Sequence, residues 1–170
     1  MEGALQLVVK TAHVFLSHLE WSGAAKGPTR DAATFSRDLM VSIGGLALPM
    51  SSAPAFHGDP SRINPEELFV ASVSACQALT YLYLAARNRI TVVGYSDDAQ
   101  GQLEMIEKRM RISRVTLRPR IVVEPDADVA LARSLVDTAH ANCLIANSVA
   151  ATVTIEPTVS VADVAVAASR

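Results

Sequence analysis

Only two cysteines occur in 170 residues, Cys76 and Cys143, and neither belongs to a Cys-x-x-Cys motif. That count excludes a scaffold of structural disulfides, and the spacing excludes a tightly grouped zinc ligand set. Excess charge is missing too: 15 Lys and Arg against 17 Asp and Glu leave a net charge of −2. The basic residues are scattered, apart from Lys108-Arg109, Arg111 and Arg114. No field for a polyanion follows, so nucleic acid is not expected as a partner. No run approaches the roughly 20 apolar residues of a membrane span, so no membrane association is expected. The start, Met1 to Lys10, lacks a basic leading region and polar residues soon interrupt it, which makes a poor secretory signal. The expectation is a cytoplasmic protein, in which any disulfide would be transient.

What is present is apolar. Half of the residues are hydrophobic, enough for a substantial core, and the length favours one domain over residues 1–170. Residues 1–12 read as an N-terminal arm and 160–170 as a tail. His13–Trp21 and Thr34–Ile43 read as strands, the second closed by Gly44-Gly45. Residues 49–63 carry Pro49, Pro54, Gly58 and Pro60, and read as a long irregular loop of the kind that often carries function. A helix then opens with Asn64 as cap, Pro65 in the first position and Glu67 three after Asn64. It should run to about Asn88, roughly 37 Å at 1.5 Å per residue. Its middle, Leu68–Ala86, is apolar nearly all round, as in a helix buried on most faces. Such a helix fits a central position under a sheet and against a partner chain.

Thr91–Ile106 and Met110–Val123 follow as two long strands around Glu107-Lys108-Arg109, and Asp128–Ala141 as a second helix. Cys143–Ala150 reads as a short helix or turn, and Ala151–Ile155 as a final strand stopped by Glu156-Pro157. The order is that of an α+β fold, with antiparallel hairpins wrapped around helices. Cys76 lies in the first helix and Cys143 at the end of the second. They are either inert core thiols or a redox couple that meets in space. For a reactive thiol, Arg30, Arg37 and Arg62 ahead of the Cys76 helix are candidate activating cations.

Particular runs carry a resemblance. Asn64-Pro65-Glu66-Glu67-Leu68 followed by Ser74-Ala75-Cys76, with the later Asn142-Cys143-Leu144-Ile145-Ala146-Asn147-Ser148, resembles the OsmC/Ohr family of thiol-dependent hydroperoxide reductases. Ser51–Phe56 and Gly58-Asp59-Pro60 resemble its OsmC-like subgroup. The likeness spans roughly residues 13–158. It implies an OsmC-like fold, with antiparallel sheets around long central helices in an intertwined homodimer. It implies Cys76 as the nucleophile that reduces an organic hydroperoxide to its alcohol and becomes a sulfenic acid. It implies Cys143 as the thiol that resolves this acid to a disulfide, and a dithiol or lipoylated protein as reductant, without metal, haem or flavin.

Glu66 matches the family's active-site glutamate. Ten residues of helix put it roughly 15 Å from Cys76 and about 80° around the axis, too far to close on one peroxide within one chain. If Glu66 orients the activating arginine, it does so at the partner's Cys76, which predicts sites built from both chains. The resemblance points to Arg37 as that arginine, with Arg62 and Arg30 behind it. In OsmC proper the arginine stands just before the loop phenylalanine, where this chain has Ala55 before Phe56. After Cys143 the chain has Leu144 in place of the family's proline. Tyr81, Tyr83 and Phe69 are expected in the core or at a dimer contact.

Three other readings stand beside this one. His140, Cys143, Cys76 and His57 could hold a metal. A cysteine–histidine acyl transferase would need an oxyanion-forming glycine turn, and none follows either cysteine. A non-catalytic, dimeric OsmC-like binding or stress-associated protein is the rival from outside enzymology, supported by the missing arginine before Phe56.

Overall fold

The computed structural model describes residues 12–163. The expected arm, but for its last residue, and most of the expected tail lie outside the described residues. The chain divides into two compact units, one ending at Pro65 and one starting at Glu66.

The first unit is a three-stranded antiparallel sheet in the order β1 (Ser17–Glu20), β2 (Leu39–Ile43), β3 (Leu46–Met50). Ile43 pairs with Leu46, so Gly44-Gly45 forms a two-residue hairpin. Both glycines have positive φ, 56° and 83°, which glycine adopts without steric cost. Both strands are shorter than expected, β1 covering Ser17–Glu20 and β2 Leu39–Ile43, and Trp21 just beyond β1 donates its indole N–H to the Ser36 carbonyl (2.7 Å). The loop was expected from residue 49 and residues 46–48 carried no assignment, yet the hairpin returns Leu46–Met50 to the sheet as an edge strand, where Pro49 is tolerated.

The second unit holds α1 (Pro65–Arg87), β4 (Val92–Asp97), β5 (Gln100–Ile106), β6 (Arg109–Leu117), β7 (Pro119–Val123), α2 (Val129–Asn142), β8 (Thr152–Ile155) and β9 (Thr158–Val161). The two expected long strands are each broken. β4-β7-β9 form one sheet and β5-β6-β8 another. The breaks share one level of the ribbon: Asp97 Oδ1 accepts the Arg118 N–H at 2.6 Å, and the Glu156 N–H bonds to the Leu117 carbonyl at 2.9 Å. Neither sheet is purely antiparallel, since β8 joins β6 and β9 joins β7 in parallel. β9 was not expected; Glu156-Pro157 bends the chain at the common break and does not end its pairing.

α1 serves both sheets. Val73 packs with Val115 and Leu117 of the β5-β6-β8 sheet. Tyr81 and Ala85 pack with Ile121 and Val123 and with Ala132, Leu135, Val136 and Ala139 of α2. The buried residues Val73, Gln77, Tyr81 and Ala85 recur every four positions, so α1 buries a stripe and not its whole girth. Leu79 and Tyr83 on its other side are 69% and 51% exposed. α1 is long and apolar enough to cross a bilayer by length and composition. Polar side chains stand inside its buried stripe, however. Gln77 donates to the Val136 carbonyl and Tyr81 to that of Ala132, each at 3.2 Å, as in a helix built for a protein core.

Strand β5 crosses α1 closely at Gly101, where a Cβ would lie 2.5 Å from Val70 Cγ2. Gly101→Ala should therefore destabilise the protein by about 1–3 kcal/mol, as overpacking does. Val70→Ala added to it should recover most of the loss. Urea unfolding checks both, and an unchanged midpoint for Gly101→Ala would contradict the packing.

Candidate active site

Cys76 sits in the middle of α1, half-buried, one residue before Gln77. Cys143 is the C-terminal cap of α2 and fully buried. Helix α2 starts at Asp128, whose carboxylate accepts the Leu131 N–H (2.9 Å), and ends in a tight turn. The Cys143 N–H bonds to the His140 carbonyl, and the Asn147 N–H to the Cys143 carbonyl. Side chains clamp the same turn: Asn147 donates to the Ala141 carbonyl, Asn142 to that of Thr138, and Ser148 to that of Leu144.

The turn delivers its amides to sulfur. The Ile145 N–H points at Cys76 Sγ (3.4 Å) and the Ala146 N–H at Cys143 Sγ (3.5 Å). Consecutive amides of one turn thus hold the two sulfurs as neighbours. Burial first, then the neighbouring Cys76 thiol, pushes the Cys143 thiol up to about 11, against the opposing pull of the Ala146 and Ile145 amides. Cys143 is thus held as a thiol beside Cys76 at neutral pH. The sequence offered no sign of the Ile145 amide, because a backbone group carries no residue signature.

The other expected residues fall elsewhere. Glu66, in the first turn of α1, helps line a groove of about 640 Å³ with Val70, Ser74, Asp97, Ala99 and Gly101. Cys76 is not among the residues lining it. One Glu66 oxygen, Oε2, is buried without a hydrogen-bond partner. Asp97, missed in the sequence, spans this wall: its second oxygen accepts from Ser74 Oγ (2.6 Å), tying α1 to the strand break.

Arg37, Arg62 and Arg30 belong to the first unit. The Arg37 guanidinium stacks 4.2 Å over the Phe35 ring and donates to the carbonyls of Phe35 and Ala32. Arg62 pairs with Asp59 (3.3 Å) and Asp38 (3.8 Å). Lys26, hydrogen-bonded to Asp38 at 2.8 Å, chiefly holds that carboxyl below its usual range. Among the described residues, no three His, Cys, Asp or Glu side chains lie close enough to hold a metal ion.

The fold has counterparts. A model of the OsmC-like protein family matches residues 58–158, which is more than half of the chain and includes both cysteines. The chain belongs to the OsmC-like family. An OsmC-like protein of unknown function from Vibrio cholerae shares the fold with a TM-score of 0.79 at 28% identity, over 86% of this chain and 100% of that one. An organic hydroperoxide resistance protein OsmC from Legionella pneumophila aligns with a TM-score of 0.64 at 21% identity, over 91% and 100% of the two chains. An uncharacterised protein of Bacillus subtilis is 23% identical over 124 residues, 71% of this chain and 83% of its own.

The raised Cys143 thiol has a consequence for stability. The folded state keeps this proton at a higher pH than the unfolded chain, whose thiol titrates near 9.0. The contribution is therefore complete below about pH 9 and lost as pH rises through about 11. Reduced protein should lose at most about 3 kcal/mol of unfolding free energy across that window beyond any loss in Cys143→Ala. Parallel urea-derived pH curves for the two proteins would contradict this.

Proposed function

We propose that this OsmC-like protein is a cytoplasmic, thiol-dependent peroxidase that reduces organic hydroperoxides to alcohols. The observation that carries the reading is the meeting of Cys76 and Cys143, brought from two helices under consecutive amides of one turn. The Cys76 thiolate attacks the terminal peroxide oxygen and the O–O bond breaks. The alkoxide takes a proton and leaves as alcohol, and Cys76 is left as a sulfenic acid. The Cys143 thiolate then attacks that sulfur, forming the disulfide and expelling hydroxide, which leaves as water. A dithiol or a lipoylated protein restores both thiols by exchange.

Two features support an organic substrate. Leu79 lies one turn along α1 from Cys76, and Leu144 adjoins Ile145; they are 69% and 74% exposed. An alkyl tail would gain apolar contact at such a rim, and hydrogen peroxide has none to offer.

The chain acts here as a single OsmC-like domain in a homodimer, with Glu66 serving the partner's Cys76. The buried, unpartnered Oε2 of Glu66 supports this assignment, because such an oxygen needs a donor and a guanidinium supplies several. Arg37 is the proposed guanidinium, which requires it to leave the Phe35 and Ala32 carbonyls. That local engagement is what favours the second reading, a non-catalytic OsmC-like dimer that binds a small ligand or accompanies the stress response.

Intact mass after one equivalent of cumene hydroperoxide separates the two. The peroxidase loses two hydrogens at once; a binder stays reduced. Cys76→Ser should abolish turnover, and Cys143→Ser should leave a sulfenic acid that a dimedone probe traps. tert-Butyl hydroperoxide should exceed hydrogen peroxide in kcat/KM by roughly tenfold, about 1.4 kcal/mol of apolar contact. Equal turnover of the two peroxides would remove the organic preference.

A mixing experiment tests the shared site. Cys76→Ser and Glu66→Gln homodimers should each be impaired, and subunit exchange between them should restore activity at one site per heterodimer. No recovery after verified exchange would place Glu66 outside the partner's site.

A further inference from the structure

Cys76 and Cys143 are free thiols, not bonded to each other. Two helices and one turn fix where they stand. Gln77, next to Cys76, is tied to the Val136 carbonyl of α2 at 3.2 Å, and α2 ends at Cys143. The turn that follows gives one backbone N–H to each sulfur, Ile145 to Cys76 (3.4 Å) and Ala146 to Cys143 (3.5 Å). Two unbonded sulfurs, held as neighbours and each facing an amide donor, have the makings of a chelate.

We propose that this pair is a binding site for a single cuprous ion, held in linear, two-coordinate geometry between Cys76 Sγ and Cys143 Sγ. Softness selects the metal first: thiolate sulfur prefers soft ions, monovalent copper among them, whereas magnesium and calcium require oxygen ligands. Coordination number selects it again. Structural zinc takes four ligands, and among the described residues no three His, Cys, Asp or Glu side chains gather to start such a set. Two sulfurs on opposite sides are enough for a monovalent ion with a filled d shell.

The binding step balances without a redox partner. Each thiol gives up its proton as its sulfur bonds the metal, so two protons leave and no electron moves. Copper displaces the protons itself, and the site requires no thiolate beforehand. Two thiolates around one monovalent cation leave a single negative charge. The Ile145 and Ala146 N–H groups meet that charge at the ligand atoms, the service that supporting hydrogen bonds perform in metal sites. Asn142, Asn147 and Ser148 hold those amides in place without touching either sulfur. Cys143 is buried and Cys76 half-buried, so the ion enters from the Cys76 side and is sheltered on the other. While copper bridges the sulfurs, no disulfide can form between them.

The test is anaerobic titration of the reduced protein with cuprous ion, supplied as its acetonitrile complex, in competition with the chelator bicinchoninate. One copper per chain is expected. Cys76→Ser and Cys143→Ser should each weaken binding by at least about a hundredfold, because each removes a ligand and not only its support. Asn147→Ala, which loosens the amide turn, should cost roughly tenfold. Excess zinc should displace none of the copper, and X-ray absorption should show a two-coordinate ion with sulfur neighbours alone. Circular dichroism checks that the variants are folded. A readout on the wild type needs no variant: copper should shield both cysteines from iodoacetamide, seen by peptide mass. Equal alkylation with and without copper would overturn the proposal. So would undiminished binding by the doubly substituted Cys76→Ser, Cys143→Ser protein, or one ion shared by two chains. None of these readouts uses peroxide turnover. A failed peroxidase assay therefore leaves the copper site standing, and a failed titration leaves the peroxidase reading standing.

Discussion

The register between α1 and α2 is the constraint on which the rest of the second unit depends. Gln77 and Tyr81, four residues apart on the buried stripe of α1, place their polar ends on the Val136 and Ala132 carbonyls, also four apart. Apolar packing alone would let the helices slide by a turn at small cost. A buried amide left without its carbonyl costs about 1–3 kcal/mol, and a slip would strand both groups. Cys76 precedes Gln77 directly, and Cys143 ends α2 seven residues after Val136. Locking the two polar contacts therefore locks the height at which the sulfurs face each other.

A second polar stitch sets α1 against the sheets. Asp97 takes the Ser74 hydroxyl with one oxygen and the Arg118 amide with the other, at the level where all three strands of the ribbon break. Breaking at one level lets the N-terminal half of α1 pack on β5-β6-β8 and its C-terminal half on β4-β7-β9. An unbroken ribbon would twist away from one half of a straight helix. The break and the helix are thus two parts of one solution, and Ser74 joins them two residues from Cys76.

The sequence reached the elements that declare themselves locally. α1 opens at Pro65 as Asn64-Pro65-Glu66-Glu67 implied, because caps and first-turn proline act within one turn of chain, and α2 opens at Val129, one residue after its expected start. It missed what pairing decides. Leu46–Met50 holds a proline and adjoins a loop, yet lies in register with β2; Thr158–Val161 gains its strand only from β7. The α+β order and both cysteines were legible. The donors at the sulfurs were not, because the Ile145 and Ala146 amides become special only when the turn aims them. The extent of burial on α1 was overestimated from composition. Its stripe is narrow, and Leu79, Leu82 and Tyr83 remain exposed.

Leu144 illustrates how a departure from a family pattern can leave geometry intact. The resemblance leads one to expect proline after Cys143, and proline would force the residue before it out of the helical region. Cys143 has already left it, with φ −70° and ψ 112°, close to what a following proline imposes. The work of holding that conformation passes to the Asn142, Asn147 and Ser148 side chains, which bond to carbonyls on either side of the cysteine. Proline would lower the entropy of the unfolded chain by an amount worth about 0.4–1 kcal/mol at a compatible site. Leucine gives that up and, at 74% exposure, sets an aliphatic side chain at the mouth of the turn that carries Cys143. The exchange trades a little preorganisation for apolar surface on the turn that carries Cys143.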